Sequence, residues 1–353
     1  MTPRERVRTA LDLKAPDRAP IYESFFWATT LERWRGEGLP ADADPYEYFG
    51  FDLRRLSVDT SFGFREQVLE ETDEHVVVRT TDGGIDRRFK QEASERGVQH
   101  LSYPIETFED WVRLRDHLRP EGRLTEWHIG RHARCLKAGL FLFYDSREPF
   151  WAALNKVGYE KFLMKFYLEP ELIRDMLDAH ERLVIGTFER AQRQGLRYDG
   201  AYFRSDIATV KGPILSPSMY REFILPCHRR LCAYFRDRGM PIMLHCDGNF
   251  NELIPLAIEA GFTAITPMEA RTGMDVRVLK KQYGDRLAFM GNIDVDVMSA
   301  GDRAAIQEEV RSKTLIAKQG GGFIFHSDGS IPPTVSFQDF CYVIDIAREY
   351  GRY

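Results

Sequence analysis

The sequence predicts an α/β fold, a TIM-type (β/α)8 barrel, and three observations carry that prediction. Compact apolar runs alternate with stretches of helical length and periodicity, so short buried strands pair in parallel beneath crossover helices. Seven such runs can be counted, which favours a closed barrel over an open doubly wound sheet. No GxGxxG or GxxxxGK[ST] loop follows any of them, which weighs against a nucleotide-binding sheet. At 353 residues the chain fits one barrel domain spanning 1–353.

Taken in order, Thr2–Leu13 reads as a short amphipathic helix, with Thr2 as N-cap, Pro3 at the first helical position and Glu5 closing a capping box. After KAPDR comes APIYESFF, an apolar strand ending in a carboxylate and aromatics. Residues 63–92 differ, because Val and Thr alternate with charges around the turn signal Asp82-Gly83-Gly84; they predict an inserted β-hairpin. The remaining strands are Gly139–Tyr144, Gly200–Phe203, Pro241–Leu244, Ala264–Thr266, Leu287–Met290 and Gly322–Phe325. Between them lie the helices Glu169–Gln194, Ser218–Arg238, Asn251–Ala260, Val276–Tyr283, Asp302–Gln319 and Phe337–Tyr350. An eighth strand is expected near Val98–Leu101.

Composition narrows the partners. Lys and Arg total 49 against 54 Asp and Glu, a formal charge of −5 with no long block of one sign, which argues against nucleic acid. No run approaches the roughly 18 apolar residues of a membrane span, and the first residues lack a signal-peptide core, so a cytoplasmic address is expected. Five cysteines without a CxxC pair fit reduced thiols better than a disulfide frame.

In a barrel, polar residues just after the C-terminal end of a strand line the mouth. That rule returns Glu23, Asp145, Arg147, Arg204, Asp206, His245, Asp247, Glu269, Asn292, Asp294, His326 and Asp328. His245, Asp247, Glu269, His326 and Asp328 carry the residue types that hold a divalent metal, and Asp247, Asp328, Arg204 and Asp206 those that relay protons or charge. The plainer readings are a hydrogen-bonded core histidine at 245, an N-cap at Asp247 and a Glu269–Arg271 ion pair. The alternatives for the rest are an Arg204–Asp206 ion pair and a simple turn at Asp328-Gly329. Tyr144 and Arg147 are expected to grip a carboxylate or phenol, with Glu23 and Phe26 lining the same pocket; core packing is the alternative for the aromatics.

The stretches RERVRTALDLKAPDRAPI, LSPSMYREFILP, HCDGNFNELIPLAIEAGFTAITPMEA, LKKQYGDRLAFMGNID and GGGFIFHSDGSIPP resemble the uroporphyrinogen decarboxylase superfamily, from about residue 3 to 353. The resemblance implies a TIM-type barrel with its site at the strand ends, and homodimers for the porphyrinogen decarboxylases. It does not settle the reaction, since the superfamily also holds corrinoid-linked methyltransferases. True decarboxylases carry an RQAGR-like stretch that grips the tetrapyrrole's carboxylates, whereas here that place reads YESFFWATTLERW. The family's late His-Gly falls on Asp328-Gly329.

The methyltransferase branch is closer. Its thiol-methylating members resemble zinc enzymes with an H-x-C motif and a distant second Cys. His245 matches the histidine, while Asp247 stands at the first Cys and Asp328 near the second. Replacing sulfur by oxygen shifts preference toward harder ions, although zinc stays compatible with retained imidazole. The resemblance therefore implies a small methylated substrate such as a methyl ether, zinc or another divalent metal, and a corrinoid carried by a partner protein. A metal-independent decarboxylase or lyase acting on a small or aromatic acid is the first alternative, and a non-catalytic ligand-binding barrel the second.

Overall fold

Each apolar run that alternates with a helix becomes a strand whose side chains are buried on both faces, as a parallel sheet covered by helices requires. The computed structural model describes residues 1–90 and 97–353. Its strands are β1 (Leu53–Ser57), β2 (Gln67–Glu71), β3 (His75–Arg79), β4 (Ile85–Phe89), β5 (Val98–Ser102), β6 (Phe141–Arg147) and β7 (Gly200–Arg204). Then follow β8 (Ala208–Thr209), β9 (Gly212–Pro213), β10 (Ile242–Cys246), β11 (Ala264–Pro267), β12 (Ala288–Met290) and β13 (Phe323–Ile324).

Seven strands pair in parallel in the order β1-β6-β7-β10-β11-β12-β13. The two edges of this curled sheet are joined by the segment 19–22. Tyr22 N donates to Phe325 O at 3.0 Å, Phe325 N to Pro20 O at 2.8 Å, and Asp52 N to Ile21 O at 2.9 Å. Pro20 has no N–H to give, so this eighth member of the ring is a short bridge and not a full ladder. APIYESFF thus takes its expected place through a few hydrogen bonds.

The expected eighth strand near Val98–Leu101 is corrected: that segment is β5, an edge of a separate four-stranded antiparallel sheet β2-β3-β4-β5. The 63–92 excursion supplies β2 to β4 of that sheet, with Asp82-Gly83-Gly84 at the turn; its last two residues, 91 and 92, lie outside the described residues. The barrel strand that sequence patterning passed over is β1, LRRLS, whose two arginines break its apolar signature.

The helix Pro3–Leu11 has the anticipated capping box, with the Thr2 hydroxyl accepting from Glu5 N and the Glu5 carboxylate accepting from Thr2 N. Val276–Tyr283 and Phe337–Tyr350 run over the expected residues. The predicted helix Ser218–Arg238 is interrupted by a wide π-type turn at Tyr220–Ile224 before Leu225–Arg236. Pro226 sits just past it, and a proline supplies no N–H to the preceding turn and crowds its carbonyl, which a widened turn relieves.

One carboxylate binds the parts of the closure together. Asp52 is 1% exposed and accepts from Arg6 Nη1 at 2.6 Å, Arg18 Nη1 at 2.8 Å and the backbone N of Ile21 at 2.8 Å. It thereby ties the first helix, the bridging segment and the start of β1. Removing one partner from a buried ionic cluster costs far more than the cluster's net worth, because the remaining charge stays buried. Asp52→Asn is therefore expected to lower unfolding free energy by about 3 kcal/mol, read as a drop in the urea midpoint with an unchanged slope.

Candidate active site

The mouth is built from side chains that leave β7 and β10 at their C-terminal ends. His245 lies in β10 opposite Arg204 of β7, and Asp206 and Asp247 follow on the loops just beyond. His245 Nε2 is 3.5 Å from Asp247 Oδ1 and 3.8 Å from Asp206 Oδ1. One donor atom from each of Asp206, His245 and Asp247 falls within 4.8 Å of the others, the one such group among the described residues. Asp206, expected as a catalytic acid, is thus a member of the ligand-type set.

Burial pulls His245 down to about 4 despite the nearby Asp206 carboxylate, so its imidazole is neutral at physiological pH. Its Nδ1 is 3.1 Å from the Tyr202 hydroxyl. With Nδ1–H donating to that oxygen, Nε2 turns its lone pair toward the two carboxylates, the tautomer a metal ligand needs.

Gly248 holds Asp247 in place. A Cβ there would meet Thr209 O at 2.7 Å, and its φ of +83° lies in the left-handed region, so only glycine lets this loop press against the β8–β9 hairpin. Gly248 N donates to Glu269 Oε2 at 2.7 Å, and Glu269 Oε1 accepts from Arg271 at 2.8 Å. Glu269 therefore anchors the loop and does not join the donor set. Cys246 is buried with its thiol pushed well above the ordinary range by that burial, donates to Asp247 O at 3.2 Å, and is not one of the three clustered donors.

A cationic wall faces this group. Arg204 Nε donates to Asp145 Oδ1 at 2.9 Å, which makes Asp145 a partner. Burial alone would raise Asp145, yet Arg204, Arg55 and the Ser57 hydroxyl outweigh it and hold the carboxyl below its ordinary value. Arg55 of β1 stacks 4.5 Å from the Tyr202 ring and donates from Nε to the Tyr22 hydroxyl at 3.1 Å. Burial opposes that cation, and Tyr202, Tyr22 and Asp145 outweigh the opposition, so it stays charged. Arg55 and Tyr202 were not anticipated. Tyr202 is legible in retrospect, since it shares a strand face with Arg204 two positions on; Arg55 lay in the strand that was passed over.

Other expected residues lie elsewhere. Asp328 is committed to backbone, its carboxylate accepting from Ala270 N at 2.9 Å and Val295 N at 3.0 Å, and burial raises it to about 6. It links the loops after β11 and β12 and lies outside the His245 group. His326 is pulled down to about 3 by burial; its Nε2 is 2.6 Å from Ser24 Oγ and its Nδ1 faces Ser327 O, so it too lies outside that group. Tyr144 points outward from the sheet, fully buried, and donates to Val184 O at 2.8 Å beneath the helix Pro170–Arg193. Phe26 packs in the core against Trp34, Tyr46, Phe51 and Phe340. Arg147 reaches toward Asp82 of the antiparallel sheet at 3.9 Å. Asn292 spends its amide on Met268 O, Met274 O and Val276 N, all in the protein interior.

Glu23, expected to touch substrate, is fully buried against Ser327. Its Oε1 accepts from Ser327 N at 2.9 Å, while Oε2 is 2.6 Å from Ser327 Oγ. That hydroxyl also lies 2.6 Å from the carbonyl of Gly329, which can only accept. A serine hydroxyl has one proton to share between these two acceptors, and a proton on the Glu23 carboxyl lets both contacts be made at once. Burial raises it to about 8, in agreement.

A helix-covered ring with ionisable groups at the strand ends defines a TIM-type barrel with its site in the mouth. The family model described as uroporphyrinogen decarboxylase (URO-D) matches residues 145–350, and the chain belongs to that family. It is 24% identical over 168 residues to a methylated-thiol–coenzyme M methyltransferase of Methanosarcina mazei, covering 47% of this chain and 43% of that protein. It is 28% identical over 246 residues to a uroporphyrinogen decarboxylase of Streptomyces coelicolor, covering 66% of this chain and 64% of that one. The chain therefore spans under two thirds of these relatives' lengths. The solved structure of a methyltransferase from Methanosarcina mazei superposes with a TM-score of 0.66 at 15% identity, over 99% of both chains, which shows the shared fold. Among the described residues no helix is long and apolar enough to cross a membrane.

The Glu23 carboxyl makes stability depend on pH. Its folded pKa of about 8 is above its unfolded value, so its contribution is complete below the unfolded pKa and is lost as pH rises toward 8. Glu23→Gln keeps the shape and removes the titration. Unfolding free energies measured from pH 5 to 9 are expected to fall with pH in the wild type relative to Glu23→Gln, by up to a few kcal/mol.

Proposed function

We propose that the protein moves a methyl group from a small methylated molecule, such as a methyl ether, to a corrinoid carried by a partner protein. The observation that carries this reading is the convergence of Asp206, His245 and Asp247 at the strand ends. The likeness to a methyltransferase supports methyl transfer as the class of reaction.

In such a transfer the carbon–heteroatom bond breaks with its electron pair left on the heteroatom, and cobalt(I) of the acceptor supplies the pair for the new bond. Alkoxide leaves poorly, so the oxygen needs a proton or a Lewis acid. The donor set fits a divalent cation: one neutral imidazole and two carboxylates, with a tyrosine hydroxyl at Nδ1 that can accept the ring proton and free Nε2 for the ion. Zinc or a harder divalent ion held by Asp206, His245 and Asp247 would supply that Lewis acidity.

The remaining residues position and neutralise. Tyr202 orients the His245 ring. Asp145 fixes Arg204 by one of its nitrogens, leaving the rest of the guanidinium to face an anionic or polar part of the substrate. Arg55, flat against Tyr202, offers a second cation with an aromatic edge. The same Arg55 favours one alternative, a metal-independent decarboxylase in which this cation meets the carboxylate of an aromatic acid.

The test is anoxic incubation with a methoxylated aromatic acid and free cob(I)alamin, following the methylcobalamin spectrum. The expected result is methylcobalamin formation that falls at least about 100-fold in His245→Ala and after chelation, and returns with added zinc. Carbon dioxide release that survives chelation and needs no cobalamin would instead select the decarboxylase.

A further inference from the structure

A cavity of about 460 Å³ opens at the end of the strands opposite the mouth. Phe51 and Leu140, which precede β1 and β6, form part of its wall, so it lies at the N-terminal ends of the strands and away from the mouth. Three arginines line it: Arg54 on the outer face of β1, and Arg131 with Arg134 on the helix Glu126–Lys137. The last two are three residues apart and so share a helix face.

Arg54 is the unusual member. It is 4% exposed, and its recorded contacts are the carbonyl of Leu53 at 2.9 Å and the Tyr46 ring at 4.7 Å. A buried guanidinium has five N–H donors and a full charge, and natural proteins pair such a group with a carboxylate. Among the described residues, none of Arg54, Arg131 and Arg134 forms an ion pair within 4.0 Å. Asp44 and Glu47 also line the cavity. Asp44, however, is turned to cap the turn Pro45–Tyr48, accepting from Tyr46 N at 2.8 Å. Burial accordingly lowers Arg54 below its ordinary value, the sign of a cation short of counter-charge.

We propose that this cavity is a binding site for a small organic anion, whose carboxylate or phosphate meets Arg54, Arg131 and Arg134 and whose apolar body lies against Phe51, Leu140 and the Tyr46 ring. Guanidinium groups suit both oxyanions through bidentate hydrogen bonds, and the volume is that of a small-molecule pocket. The site is separate from the mouth and does not rest on the methyl-transfer reading.

Titration calorimetry on the full chain with benzoate and with phenyl phosphate tests it, the tighter probe naming the oxyanion. Binding is expected to weaken at least tenfold in Arg54→Met and in the double variant Arg131→Ala/Arg134→Ala, and to stay unchanged in Arg55→Gln in the mouth. If Arg54→Met does not fold, the double variant on the surface helix decides. Absence of binding by both probes overturns the proposal. So does binding that the double variant leaves intact, or that Arg55→Gln abolishes.

Discussion

The barrel depends on closing a ring whose last join is too short to hold itself. Three backbone hydrogen bonds around Pro20, Ile21 and Phe325 span the gap between the first and last strands of the sheet. A buried carboxylate, Asp52, takes the role that a longer ladder has elsewhere: it gathers two arginines and the Ile21 amide at one point. In a low-dielectric interior such charge-assisted bonds are short and directional, so the join is held in one register. The consequence reaches the mouth, because Tyr22, Glu23 and Ser24 follow directly. Tyr22 meets Arg55, Glu23 meets Ser327, and Ser24 meets His326.

The same economy of buried polar groups orders the mouth itself. Asp145 holds Arg204, Tyr202 holds His245, Glu269 holds the Gly248 loop, and Asp328 holds the loops after β11 and β12. Several strand-end groups thus act as supports, while Asp206, His245 and Asp247 lie together in the mouth. Asp206 and Asp247 remain beside a neutral imidazole, an oxygen-rich set that differs in softness from one built on thiolates. Family membership supplies the barrel.

Much of the fold was legible because buried parallel strands and amphipathic helices leave distinct periods. Phe337–Tyr350 and Val276–Tyr283 carry clear helical faces, and the GGGFIF and PIML runs are unmistakably interior. β1 was not legible, since LRRLS presents one arginine outward into a cavity and one inward to the mouth, which erases the apolar pattern. The strand-end rule found every member of the donor set but could not rank them. Whether a carboxylate faces solvent, like Asp247, or caps a distant loop, like Asp328, depends on backbone N–H groups 33 and 58 residues away. Tyr144 shows the converse, as one step of strand alternation turns it from the mouth to the helices.

The central claim is that Asp206, His245 and Asp247 together hold a divalent cation. Elemental mass spectrometry on protein purified without chelator or affinity nickel tests it most directly. The account predicts about one equivalent of zinc or another divalent metal, lost in Asp206→Ala and in Asp247→Ala and retained in Asp328→Ala, whose carboxylate serves backbone amides. Metal that stays in the first two variants, or protein that takes up none even when zinc is supplied, would contradict it.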